Sequence, residues 1–442
     1  MTTGEGGKEG RARWRDRIAV SQAGDGFAYV PGHVLVRGGE AERRAEALTG
    51  RPVEERPDVR HDQSAPQWRR LRDVADPLAV VGALRSEGLD AQPEHVFFAH
   101  GCSPCEQGPH PSVHMSPPTG EVGSNPYRSN PYRSNPYRSN PYRSNEAPLS
   151  SAEPALGPEL PLRPPLQGPG SHPRILILDT GLAGDGQRPA LLDAAPRIDG
   201  ALDRPDDAIM PVTGPPPFAP DGYLDPVAGH GTFIAGLIEQ LAGGCTIAVE
   251  RVIEPLGDGR ELDIVAALET ATALPDGERP DIISMSFGGQ VFEQAFALRS
   301  AIAAARLAGV VLVASAGNDG ICTPQYPAAF DEVVGVAAVG PAGPPPWTNY
   351  GDWVDACAPG VELVSAFFAA FDGAFPMMNT VDIDSFEQWA CWSGTSFSGP
   401  VVVAALAREM VAGGCDAAEA VHRVVAAGHL LRLPCLGTVV NL

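Results

Sequence analysis

Four short segments of this 442-residue chain carry side chains whose types could act together: ILILDTG around Asp179, GHGTFIAGLI around His230, VVLVASAGNDG around Asn318 and SGTSFSGPVVVAAL around Ser396. A serine hydroxyl is a weak nucleophile at neutral pH and needs a base to remove its proton; an imidazole titrates in the useful range. The imidazole in turn needs a carboxylate to hold its tautomer and to stabilise its cation. An oxyanion formed by attack on a carbonyl needs hydrogen-bond donors placed in advance, and the Asn318 amide and the Ser396 backbone N–H are of the right kind. Each residue has an ordinary alternative reading: turn former, loop residue or, for Ser396, a helix N-cap. Their joint occurrence is what points to acyl-transfer chemistry.

The surrounding pattern says how they are positioned. From Arg174 onward, apolar runs of strand length (175–178, 247–253, 282–285, 310–314, 333–339) alternate with helical stretches (233–241, 262–274, 294–308, 401–410). Continuous Val/Ile/Leu strands with intervening helices imply a doubly wound, mostly parallel α/β sheet buried on both faces. Such sheets place reactive groups at the carboxyl ends of their strands. Asp179 and Asn318 each follow such a run, and His230 and Ser396 each precede a helical one.

The front of the chain reads differently. Residues 1–26 are polar and are expected to be disordered; residues 27–100 read as a small α+β domain. In it, 27–36, 68–73 and 89–98 have strand character, 40–48 is helix-forming, and Asp76 followed by Pro77 marks a helix start. Residues 101–171 are rich in Pro, Ser and Asn and contain SNPYR four times in tandem from Ser124 to Arg143, a linker composition. The repeats suit a spacer, a docking tract or sites of self-cleavage. Within the same stretch, Cys102, Cys105, His110 and His114 are of zinc-ligand type, but the pairs stand closer together than in a zinc finger, and no metal is assigned to them. Of the remaining cysteines, Cys245, Cys357 and Cys391 read as core fillers, while Cys415 and Cys435 could pair only in an oxidising compartment.

The net charge, 32 − 54 = −22, disfavours a nucleic-acid partner. No apolar run approaches the roughly 20 residues of a membrane span, and the N-terminus shows no signal-peptide pattern, so no membrane association and a cytoplasmic location are expected, with secretion only if the start site is misassigned.

Taken in the order Asp–His–Ser, the DTG, GHGT and GTSxSGP segments resemble those of the subtilases, over residues 172–442. The resemblance implies a subtilisin-like serine endopeptidase with Asp179, His230, Ser396 and Asn318 at its catalytic centre and no cofactor required; calcium is a family possibility with no position indicated. It implies that Ser286, Phe287 and Gly288 bind the substrate peptide as an added strand, and that Ser315, Ala316 and Gly317 form a second wall of the pocket; Ala358-Pro359-Gly360 matches a family turn. Two positions depart from it: Phe233 stands where a second histidine is common, and Ser284 where asparagine is frequent. Residues 27–100 are similar to the propeptide domains that precede such enzymes, which implies an intramolecular inhibitor. The substrate is then a protein or peptide, either broadly chosen or one dedicated partner or precursor. A peptide-binding scaffold is the alternative of another class, and the full set of reactive residues speaks against it.

Overall fold

Alternation of side chains along fully buried strands decides the architecture. In the strand β5 (Arg174–Asp179), Ile175 and Ile177 enter one core and Leu176 and Leu178 the other. The computed structural model describes residues 18–21, 26–54, 67–99, 163–184, 186–203, 227–254, 257–291, 295–377, 380–386, 388–427 and 429–442. Within these, β5 is joined in one sheet by β6 (Ile198–Gly200), β7 (Thr246–Arg251), β9 (Ile282–Met285), β11 (Val311–Ser315), β12 (Val333–Val339), β13 (Ala356–Pro359), β18 (Arg432–Leu433) and β19 (Gly437–Val439). The order is β18-β19-β13-β12-β11-β9-β5-β7-β6, and every pairing is parallel except β18 with β19.

Helices cover both faces. His230–Ala242 and Thr395–Gly413 pack in the core on one face, and Glu261–Thr272 and Phe296–Leu307 in the core on the other. The last apolar stretch forms a longer helix than its sequence predicts, beginning at Thr395 rather than near Val401, because the Ser-Gly-Pro portion is helical too. Pro400 lies inside it and cannot donate to the carbonyl four residues back, that of Ser396; this carbonyl instead accepts the Ser286 hydroxyl at 2.9 Å. Between β13 and this helix lie two hairpins: β14 (Leu363–Ala366) pairs with β17 (Trp389–Trp392), and β15 (Phe371–Met377) with β16 (Thr380–Phe386). Residues 163–171, expected in the linker, pack on this unit: Leu166 is buried in its core and donates to Gly243 O, and Gly170 donates to Val411 O.

The front unit contains β1 (Ala19–Ser21), β2 (Phe27–Arg37), β3 (Trp68–Leu71) and β4 (Asp90–Ala99), with helices Gly39–Thr49 and Pro77–Ser86. Asp76 caps the second helix through Ala79 N at 3.0 Å. β4 does not end at the border of this unit. Its first half pairs with β2, and its last residues enter the larger unit, flanked by β8 (Asp258–Arg260) on one side and β10 (Phe287–Gly288) on the other.

Polar contacts fix the junction. Glu261, fully buried, accepts Gln92 Nε2 at 2.7 Å and His95 Nδ1 at 2.5 Å through one oxygen, and Leu298 N at 3.1 Å through the other. Gln92 Oε1 accepts Ala297 N at 3.1 Å, so the front unit satisfies an open donor of the Phe296–Leu307 helix.

Behind the junction, Glu94 is fully buried and bonded to Arg70 and His33. Burial alone raises its carboxyl, but the hydrogen bonds from His33 and Arg70 and their charges outweigh it and hold Glu94 below the ordinary range. A lowered carboxyl contributes stability that is complete above its ordinary value, about 4.3, and is lost as pH falls through the folded value. Arg70→Ala, which strands the buried carboxylate, is expected to destabilise the front unit by about 3–5 kcal/mol near neutral pH. Denaturant unfolding followed at the front-unit residue Trp68 checks this: the deficit should shrink as the pH is lowered and Glu94 takes up its proton, in wild type only below the ordinary carboxylate range.

Candidate active site

Asp179 is the last residue of β5 and Ser315 the last of β11, with Asn318 three residues beyond; His230 begins its helix and Ser396 is the second residue of its own. All therefore lie at the carboxyl edge of the parallel sheet. Two close backbone approaches pack the chain around Asp179 and His230. Gly181 has φ +105, and a Cβ there would sit 2.7 Å from Asp203 N; a Cβ on Gly231 would sit 2.4 Å from Gly181 O. Glycine is thus required at Gly231, where GHGT touches DTG, and at Gly181, where DTG touches residues 201–203.

Asp179 and His230 are both fully buried, with Nδ1 and Oδ1 2.8 Å apart. Asp179 Oδ1 also accepts Thr180 N at 2.8 Å. A carboxylate accepting both bonds requires the proton on Nδ1, which leaves the lone pair on Nε2. That atom is buried with no hydrogen-bond partner. The ring is enclosed by Trp392 and Phe397, at centroid distances of 5.5 and 5.3 Å. Phe233, at the position where a second histidine is common, is fully buried and packs on Phe397 at 4.5 Å. It serves the aromatic shelf beneath His230, and full burial of such a ring contributes roughly 1.5–3 kcal/mol.

Ser396 sits beside this shelf, since Phe397 is its neighbour in the chain. Its hydroxyl donates to Ser286 O at 3.3 Å and not to Nε2, which has no hydrogen-bond partner. As the second helical residue, its own N–H has no acceptor within the helix. Asn318 Oδ1 accepts Thr395 N at 2.9 Å and Thr395 Oγ1 at 3.0 Å, which fixes the amide with its NH₂ directed away from those contacts. Ser286 thus bonds Ser396 by both its hydroxyl and its carbonyl, and Phe287 and Gly288 form the edge on which β4 lies, opposite Ala99 and Phe98. Ser315 and Ala316 are fully buried; Gly317 N donates to Thr395 Oγ1 at 3.0 Å, tying this segment to the serine helix.

Sequence reasoning missed the opposite edge of the cleft, Asp258–Arg260, and the buried Glu261 after it. Three residues in a Gly-Asp-Gly context show no alternation and read as a turn. Cys102, Cys105, His110, His114 and the SNPYR tract lie outside the described residues. Among the described residues no group of three or more His, Cys, Asp or Glu side chains could hold a metal ion, and no helix is long and apolar enough to cross a membrane. Cys245, Cys357 and Cys391 are buried free thiols, and burial pushes them up to about 12, 11 and 12, as expected of inert core fillers; Cys415 and Cys435 are also free.

Gly231→Ala should separate Asp179 from His230, because the atom it meets is backbone and cannot turn aside. The downfield proton resonance of the Nδ1–H bond should shift or vanish, and modification of Ser396 by a fluorophosphonate should slow by about tenfold or more. An unchanged resonance would show that the two segments can move apart without disturbing the pair.

The subtilase family model matches residues 170–414. Subtilisin DY of Bacillus licheniformis is 27% identical over 212 residues, 45% of this chain and 68% of its own length. The thermophilic serine proteinase of Bacillus sp. (strain AK1) is 28% identical over 242 residues, 51% of this chain and 52% of its own length. The extracellular serine proteinase of Thermus sp. (strain Rt41A) is 31% identical over 194 residues, 42% of each. The chain thus spans about half the length of the latter two relatives. With reactive side chains at the carboxyl edge of a parallel sheet and a family match over more than half its residues, the chain belongs to the subtilase family, and residues 170–414 are its serine-type endopeptidase domain.

Proposed function

We propose that the protein hydrolyses peptide bonds through an acyl-enzyme and that its front unit holds it inactive. The observation that carries the chemistry is the buried Asp179–His230 bond, with an unpartnered Nε2 and with the ring packed on Phe397, the residue after Ser396 at a helix start. Ser396 Oγ forms a bond to the peptide carbonyl carbon as its proton passes to His230 Nε2. Asp179 keeps the imidazole in the required tautomer and stabilises the cation. The Asn318 amide and the Ser396 N–H receive the oxyanion. Collapse breaks the C–N bond, with the proton delivered to the leaving amine; water, deprotonated by His230, then releases the acid and restores the serine.

The restraint is supported by the place of β4. An extended peptide binds such an edge by main-chain pairing, and β4 holds that pairing on β10 and β8 at once. Its direction carries the chain toward Ser286, whose carbonyl contacts Ser396, so any self-cleavage is expected just past Ala99 rather than within the SNPYR repeats.

Fluorophosphonate labelling of the full chain, of Gln92→Ala/His95→Ala, and of Ser396→Ala in each tests both parts. Weak labelling of wild type, stronger labelling of the double variant and none without Ser396 is the expected result. Equal labelling of the first two would remove the restraint; no labelling of any folded form would remove the hydrolase. Asn318→Ala should lower kcat about 10²–10³-fold with KM little changed, a magnitude that belongs to subtilisin itself and is borrowed here.

A further inference from the structure

A second buried carboxylate stands next to the Asp179–His230 pair. Asp203 is 7% exposed and follows β6. Its Oδ2 accepts two hydrogen bonds: Gly229 N at 2.6 Å and Thr180 Oγ1 at 3.1 Å. Thr180 Oγ1 in turn accepts Gly231 N at 3.1 Å. Gly229 and Gly231 flank His230, and Thr180 follows Asp179. The backbone on both sides of the histidine is therefore tied, through one carboxylate and one hydroxyl, to the segment that carries its partner aspartate.

Asp203 is itself firmly seated. Its N–H donates to Leu182 O at 2.7 Å, and Leu182 N donates to Ala201 O at 2.8 Å, a short parallel bridge beyond the end of β5. The geometry points to Asp203 as a positioning residue: with Thr180 it sets the place of the His230 backbone relative to Asp179, and so the alignment of the imidazole for proton transfer. The inference rests on the assignment of Asp179, His230 and Ser396 under Proposed function.

Two physical arguments support it. A hydroxyl has one proton to donate, and Thr180 donates it to Asp203, so it cannot also brace Asp179. Asp179 Oδ2 is in fact buried without a partner, and its side chain meets His230 through Oδ1 alone. One hydrogen bond joins the two side chains, and the backbone tie adds a second link between their segments. The second argument is cost. A carboxylate withdrawn from water is strongly unfavourable unless its oxygens are bonded, and charge-assisted bonds to N–H groups are the stronger and shorter kind. A neutral residue that only filled this space would carry no such penalty, so the charge is matched to the donors it holds.

The test uses the full chain carrying Gln92→Ala and His95→Ala to open the cleft. Asp203→Ala, Asp203→Asn, Thr180→Val and Thr180→Ser are each compared with this parent. Readouts are the downfield Nδ1–H resonance, thermal stability, and kcat and KM on a small peptide amide, with sites titrated by fluorophosphonate. Asp203→Ala should shift the resonance and lower kcat per titrated site about ten- to a hundredfold with KM within about twofold, as for a misplacement of order 1 Å. Asp203→Asn, which keeps an acceptor oxygen, should recover most of the loss. If Asp203→Ala fails to fold, the Thr180 pair decides: Thr180→Val should reproduce the kcat loss and Thr180→Ser restore it. Unchanged resonance and kcat in a folded Asp203→Ala, or in Thr180→Val, would overturn the proposal, as would lowered stability with kcat per site intact. A parent that shows no labelling dependent on Ser396 would instead overturn the active-site assignment, and the positioning role with it.

Discussion

A charge with no access to water has to be answered where it stands, and the organisation of this domain follows from Asp179 being such a charge. It lies fully buried at the end of a central strand, between two apolar cores. Only hydrogen bonds offset the cost of that position. Thr180 N supplies one and His230 supplies the other. To deliver the imidazole, the start of the His230–Ala242 helix must approach the strand end so closely that glycine is required at Gly231. The Trp392 and Phe397 rings then pack against the histidine, with Phe233 behind them, and Phe397 places the serine helix against it.

The same economy of backbone groups links Ser396 to the strand edge at Phe287–Gly288. Pro400 leaves the Ser396 carbonyl without its helical donor, and Ser286 fills the vacancy. Ser286 precedes the strand that receives β4. The strand edge that pairs with β4 and the start of the Thr395–Gly413 helix are therefore joined through Ser286 by direct hydrogen bonds.

The front unit is attached by the same kind of bond at the other edge. Glu261 gathers donors from Gln92, His95 and Leu298, and Gln92 answers an open amide of the neighbouring helix. These contacts are buried, so a partner lost on either side leaves a polar group stranded. Apolar packing alone would let the front unit slide along the edge; the directional bonds set its register.

Much of this was legible in the chain itself. Continuous apolar runs marked β5, β9, β11 and β12 within a residue or so, because strands buried on both faces leave little room for polar residues. Asp76-Pro77 marked the second front helix, because capping and a preset φ are local effects. The reactive residue types, their order and their places at element ends were legible for the same reason. The tertiary structure alone decided that β4 lies between β8 and β10, that Glu261 binds residues 166 positions away, and that Asp203 is tied to the segments around Asp179 and His230. Strands of two or three residues have no periodicity to read. A buried carboxylate looks, in sequence, like any surface aspartate or glutamate. Its partners depend on which distant backbone groups the folded chain brings within 3 Å of it, and no local pattern encodes that distance.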